Sequence, residues 1–245
     1  MENTIGKEFM QKTKFGQLEE SLQSQGVPLP QIEIPLGDHI RLIDMPDGRV
    51  VGLQPLDFVK LIEKRETLRR YADTPLSLYE LAFLLWGTQG IKSVTDKGLS
   101  KRTVPSAGSR HPFETWLLVN RVAELEPGLY RYLALSNQLA QLPAPPDISQ
   151  QLTAACQNQQ HVLTSAVTFI WAAVPVRTVW RHRQRAYRYI HLDAGHVCQN
   201  LYLLAEAIGC GVCAIAAYDD DQVNAVLGLD GEDVFAIYLA SLGKR

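Results

Sequence analysis

This sequence predicts an α+β fold, on three observations. Helical and strand-like segments are mixed along its 245 residues without regular β–α–β alternation. Between 188 and 208, Ile190, Ala194, Val197, Leu201, Leu204 and Ile208 recur at steps of four and three, one clean stripe of a long helix that Gly209 ends. The longest apolar run, AVTFIWAAVPV at 166–176, is too short to span a bilayer and contains a proline, so it reads as a buried central strand. With 46% hydrophobic residues the chain can bury one substantial core. A formal net charge of −2 gives no electrostatic reason to expect a nucleic-acid partner, and no membrane partner is expected either. MENTIGKEFMQK lacks an apolar signal core, and four cysteines in a chain this long make no disulfide framework; a cytoplasmic protein is the simpler expectation.

The elements follow in order. Residues 1–55 read as an extended N-terminal segment, with a short helix in KFGQLEESLQSQ at 14–25 and the Pro-punctuated PLPQIEIPL at 28–36 running extended. Residues 56–245 read as a single domain. Its first helix is expected from Leu56 to Arg69, on Phe58, Leu61, Ile62 and Leu68. A second spans SLYELAFLLWGTQG at 77–90, where Ser77 and Glu80 have capping-box spacing and Gly87 or Gly90 stops it. ETWLLVN at 114–120 is a strand, and GLYRYL at 128–133 with the QLAQL that follows reads as a hairpin. A helix over 147–160, a short segment CAIAAY at 213–218, a helix near DDDQVNAVLGL and a last strand VFAIYLASL at 234–242 complete the chain.

Two stretches carry chemistry. KRETLRRY at 64–71 places Arg65 and Arg69 four apart, on one face if helical, and arginine offers a planar, permanently charged fork to a phosphate. TVPSAGSRHPFE at 103–114 is a Ser/Gly-rich turn feeding a strand, and small residues there let backbone approach a flat ring. Taken alone, the first also fits a solvated basic face beside Glu63 and Glu66, and PSAG fits many turns. Cys210-Gly-Val-Cys213 has CxxC spacing but follows a helix, and it reads as packing residues. His191 and His196 diverge on a helix, so no metal is expected; Asp193 and His196 read as a polar pair. Trp86, Trp116 and Trp171 belong to the core, and Trp180 lies in a basic turn. No GxGxxG follows a strand, which argues against a Rossmann dinucleotide domain.

The order of these motifs resembles the nitroreductase-like flavoprotein superfamily, and within it the SagB/ThcOx-type dehydrogenases. The matching elements are KRETLRRY, LSLYELAFLLWGTQG, RTVPSAGSRHPFETWLLV, RAYRYIHLDAGHVCQNLYLLAEAIGCG and LGLDGEDVFAIYLASLG. The resemblance runs from about residue 28 to the end. It implies a central, mostly antiparallel sheet flanked by helices, a long dimer-interface helix and a homodimer with FMN between subunits. It places Arg65, Glu66, Thr67 and Arg69 on the first FMN motif, Arg65 at the phosphate and Arg69 near the N1/O2 edge. Pro105, Ser106, Ala107 and Ser109 fall on the motif touching ribityl chain and ring, and Ala214, Ile215, Ala216 and Ala217 on the loop facing flavin N5. Lys244 and Arg245 fall near a C-terminal basic position that contacts phosphate. Azoline-oxidising members use a Lys-Tyr pair where this chain has Arg181 and His182, so these are the catalytic candidates, with His182 the one able to move a proton near neutral pH. The implied activity is an FMN-dependent oxidoreductase with ping-pong kinetics and NAD(P)H as a possible donor. The alternatives are a tailoring dehydrogenase acting on a peptide-derived or other small-molecule intermediate, and a non-catalytic flavoprotein scaffold.

Overall fold

Seven strands form one sheet in a computed structural model that describes residues 4–53, 55–96 and 98–245. In chain order the strands are β1 (Arg41–Asp44), β2 (Ile91–Val94), β3 (Ser100–Arg102), β4 (Phe113–Val119), β5 (Gly128–Leu133), β6 (Gln138–Leu142), β7 (Val167–Ala173), β8 (Cys210–Ile215) and β9 (Phe235–Lys244). The main sheet runs β1-β6-β5-β4-β7-β9-β8, every neighbour antiparallel; β2 and β3 make a separate hairpin. The helices are α1 (Ile5–Lys12), α2 (Phe58–Lys64), α3 (Leu78–Gln89), α4 (Ile148–Ala155), α5 (Gln160–Leu163), α6 (Pro175–His182), α7 (Ala186–Ala207) and α8 (Asp220–Leu227). The expected α+β class holds.

β4 and β7 are buried at every position, which is why their sequences read as unbroken apolar runs. Side chains alternate across them. Leu117, Phe169 and Trp171 join one core with Leu81, Leu84 and Leu85 of α3 and Ile190, Val197 and Leu201 of α7. Trp116, Leu118 and Ile170 face the other core, with Leu152 of α4 and Val223 and Leu227 of α8. α3 opens with the predicted capping box: Ser77 Oγ accepts from Glu80 N at 3.2 Å, and Glu80 Oε2 accepts from Ser77 N at 2.9 Å. α7 carries the predicted stripe.

Several expectations are corrected. The first helix ends at Lys64, not Arg69, so Arg65 and Arg69 share no helical face. Beyond it the backbone is taken up by the sheet: Thr67 bridges Val212 in parallel, Leu68 N donates to Val212 O at 2.9 Å, and Ala72 N donates to Lys244 O at 2.9 Å. β8 is an edge strand, and its free backbone groups outweigh the helical spacing of the side chains. The short helix expected at 14–25 is only a 3-10 turn at Phe15–Gln17, with α1 before it. The 147–160 helix is two, α4 and α5, separated by left-handed Gln157 and Asn158. The basic turn around Trp180 is α6, which starts with Pro175 at its first position. Of CAIAAY only Cys213–Ile215 belong to a strand, β8, which begins at Cys210, and the β2–β3 hairpin has no counterpart among the sequence expectations.

The 28–36 stretch runs extended and is fastened by buried charge. Ile34 N donates to Glu114 Oε1 at 2.8 Å, Arg131 Nη2 donates to Ile34 O at 2.5 Å, and Arg177 Nε donates to Gln31 O at 2.8 Å. Arg177 also pairs with Glu114, both side chains almost wholly buried. Residues 41–44 of the N-terminal segment supply the edge strand β1.

Candidate active site

Tyr202 of α7 joins three of the predicted positions, far apart in sequence. The extended KRETLRRY segment brings Thr67 Oγ1 to 3.3 Å from Tyr202 Oη, and the Arg65 guanidinium lies 5.5 Å from the ring centroid. From β8, Ala214 N donates to the same hydroxyl at 3.0 Å. Arg69 lies beside Cys213, whose thiol burial pushes up while Arg69 pulls it back. Arg65 and Arg69 form no ion pair among the described residues. Beyond Ile215 the chain leaves the sheet, and Ala216 and Ala217 are exposed. Sequence reasoning missed Tyr202 because its partners at 67 and 214 have no local signature.

The Pro-Ser loop forms a second cluster. Ser106 Oγ donates to Asp193 Oδ2 at 2.6 Å and accepts from His111 N at 2.9 Å; Ala107 N reaches both Asp193 oxygens at 3.3 Å. Asp193 therefore ties this loop to α7. Its expected partner His196 acts only through its charge, and burial, the larger influence, raises the Asp193 pKa. Gly108 has φ +61, and a Cβ there would come within 2.8 Å of Arg181 Cδ and His182 Nε2. Only glycine fits that turn against those two side chains. Ser109 and His111 are also left-handed, at φ 54 and 43. Burial first, then Arg181 and Arg110, lowers the pKa of His182, against a hydrogen bond with the Ala107 backbone. The imidazole is therefore neutral at pH 7, with Nε2 buried and without a hydrogen-bond partner in the described structure.

One chain does not bring these clusters together. Asp193 and Tyr202 are nine residues apart on α7, about 13 Å along its axis and on opposite faces. The C-terminal basic residues lie with the first cluster but are paired. Lys244 Nζ bonds Glu80 and donates to Ile208 O at 3.3 Å; Arg245 bonds Glu206 and reaches Glu66 Oε1 at 3.0 Å. Cys210 and Cys213 lie three apart on a strand and so on opposite faces; both are free and buried, and burial pushes the Cys210 thiol up to about 12. No group of three or more potential metal ligands occurs among the described residues. Trp180 is core, its Nε1 donating to Val27 O at 2.8 Å.

Fold and site define a protein of the nitroreductase class. The Nitroreductase family pattern matches residues 62–244, and the chain belongs to that family of oxidoreductases. It is 30% identical over 204 residues to "Putative nitroreductase MJ1384" of Methanocaldococcus jannaschii, covering 82% of this chain and 99% of that one. It is 29% identical over 138 residues to "Trifolitoxin-processing protein TfxB" of Rhizobium leguminosarum bv. trifolii, covering 53% of this chain and 36% of that protein. This second likeness agrees with the SagB-type motifs. Among solved structures, a "putative nitroreductase from anabaena variabilis" superposes with a TM-score of 0.70 at 27% identity, over 85% of this chain and 42% of that one. The chain thus spans less than half the length of the last two proteins.

Proposed function

We propose that this chain is an FMN-dependent oxidoreductase working as a homodimer, with each flavin site built from the first cluster of one copy and the Pro-Ser cluster of the other. The observation that carries the reading is the convergence of Arg65, Thr67 and the Ala214 strand end on Tyr202. Bound FMN would supply hydride transfer at N5 in two half-reactions, donor first and acceptor second, hence ping-pong kinetics. The residues fit such a group: Arg65 and Arg69 are cations without a carboxylate partner among the described residues, and the loop beyond β8 is small and exposed. Arg65 would hold the phosphate and Thr67 the ribityl chain. Arg69 would stabilise charge at the N1/O2 edge. Ala214 N–H is already given to Tyr202, so the N–H offered to the ring comes from Ala216 or Ala217. Neutral His182 would accept a proton, with Arg181 beside it orienting substrate.

The exposed Phe58 and Val59 of α2 and Leu192 of α7 support a partner surface of the same chain. A second reading, a tailoring dehydrogenase acting on a peptide-derived intermediate, is favoured by the likeness to TfxB. The absorption spectrum of the purified chain, before and after anaerobic NADH or NADPH, separates them. Stoichiometric flavin that bleaches supports donor-driven reduction with NAD(P)H. Flavin that stays oxidised supports the dehydrogenase. A chain that takes up no FMN on reconstitution is not a flavoenzyme, and a scaffold role remains.

A further inference from the structure

Helix α4 ends where Gln157 and Asn158 both turn left-handed, at φ 57, and Gln159 follows as the residue before α5. The break turns the Gln159 side chain towards the loop that leaves β8. Its Nε2 donates to two carbonyls, Cys156 O at 2.9 Å and Ala217 O at 2.8 Å. Ala217 lies beyond the end of β8, and this is the one hydrogen bond its carbonyl accepts among the described residues. Two residues on, Asp219 N donates to Ala155 O at 2.8 Å. The end of α4 and Gln159 thus hold the loop, while Ala216 and Ala217 themselves stay exposed and open to a ligand.

The chemistry of the donors fixes the direction of the bonds behind that tether. Carbonyls only accept, so the amide nitrogen of Gln159 must face them and its oxygen must face away. Gln159 Oε1 lies 3.2 Å from His161 Nε2, which therefore carries the ring proton. Burial first, and the charge of Arg69 second, lower the pKa of His161, so the ring is neutral at pH 7. Its Nδ1 then accepts from Ser241 Oγ at 2.9 Å. Ser241 Oγ in turn lies 2.8 Å from the hydroxyl of Tyr71, the last residue of KRETLRRY. One hydrogen-bonded chain therefore runs from that segment through Ser241 of β9, His161 and Gln159 to the Ala217 carbonyl. Both hydrogens and the oxygen of the Gln159 amide are engaged, and a fully satisfied network holds one orientation.

We propose that His161 and Gln159 are positioning residues for the flavin-facing loop: His161 orients the Gln159 amide, and that amide holds the Ala217 carbonyl so that the Ala216–Ala217 backbone is set towards the flavin ring. The purpose of the tether rests on the flavin reading; the tether itself does not. The same chain starts at the segment that carries Arg65, Thr67 and Arg69, so it couples the two sides of the first cluster.

The test has a flavin-free arm and a flavin arm, each comparing wild type, Gln159→Leu, His161→Phe, His161→Gln and, as control, Gln160→Leu. In the chain as isolated, amide hydrogen exchange follows Asp219 in the loop and Ala214 in β8. Asp219 is expected to exchange about tenfold faster in Gln159→Leu and faster in His161→Phe, with Ala214 unchanged. His161→Gln, which restores a donor towards Gln159, and Gln160→Leu should match wild type. In the second arm FMN is titrated into each chain. Affinity should fall about fivefold in Gln159→Leu and His161→Phe, the visible bands of the bound flavin should shift, and His161→Gln should restore both. Exchange at Asp219 that equals wild type in Gln159→Leu overturns the proposal, as does an equal rise at Ala214, which marks general loosening. Faster loop exchange with unchanged FMN affinity and spectrum overturns it too. These failures, in a wild type that binds FMN, leave the flavin reading standing. A wild type that takes up no FMN sinks that reading and the purpose of the tether together.

Discussion

Asp193 accepts from both Ser106 Oγ and Ala107 N, and is their one acceptor among the described residues. Replacing it, Asp193→Ala, leaves two donors unsatisfied, and we expect about 2 kcal/mol less stability in denaturant unfolding. The Pro-Ser loop would also lose its tether to α7, so FMN affinity should fall; unchanged affinity would remove this loop from the flavin site. His111, in the same loop, makes a pH prediction. The residue is 5% exposed, and burial, then Arg102 and Arg110, hold its pKa down to about 3. The unfolded ring titrates near 6.5, so below that pH the unfolded chain binds a proton that the folded chain does not. This contribution is therefore complete above about pH 6.5 and is lost as pH falls towards 3, at about 1.4 kcal/mol per unit. Between pH 6.5 and 5, wild type should lose about 2 kcal/mol more than His111→Asn, a residue that also tolerates the left-handed backbone. Parallel pH profiles would refute it. Neither role was legible in sequence. The i,i+3 spacing of Asp193 and His196 is visible locally, whereas Ser106 lies 87 residues away.

At the scale of elements, the strands and the two longest helices were legible because burial leaves a periodic trace: period two or continuous for β4 and β7, steps of four and three for α7. KRETLRRY misleads for the same reason. Phe58, Leu61, Ile62 and Leu68 fit a helix, but what holds Thr67 and Leu68 is the backbone of Val212, which no side-chain pattern records. The extended 28–36 stretch was read from its prolines, while its anchors, Arg131 and Arg177 with Glu114, were invisible until the fold joined them. That joint is testable. Glu114→Gln leaves Arg177 a buried cation without its counter-charge and should cost about 3–5 kcal/mol in chemical denaturation. Adding Arg177→Met should recover part of that loss, because the stranded charge goes too. If the double variant is as unstable as the two losses summed, the ion pair is not the joint.

For the whole molecule, the proposed flavin site would need more than one copy, and α7 is the reason. It carries Tyr202 and Asp193 on opposite faces, so one copy presents the Arg65 cluster on one side of the helix and the Pro-Ser loop on the other. A two-fold pairing through α7 and the apolar surface of α2 would bring one copy's first cluster to the other's second. Complementation reads this directly. Arg65→Gln damages the first cluster. Gly108→Val damages the second, since a side chain at φ +61 collides with Arg181 and His182. Each variant alone should bind little FMN. Co-expressed at equal levels, half the dimers pair unlike copies, and each of these holds one doubly damaged site and one intact site. Flavin content should then recover to about a quarter of wild type. A site built from one copy has no intact combination in that mixture and would recover nothing, because each copy carries its own lesion wherever it pairs. Recovery therefore requires both that the two clusters serve the same flavin and that they come from different chains.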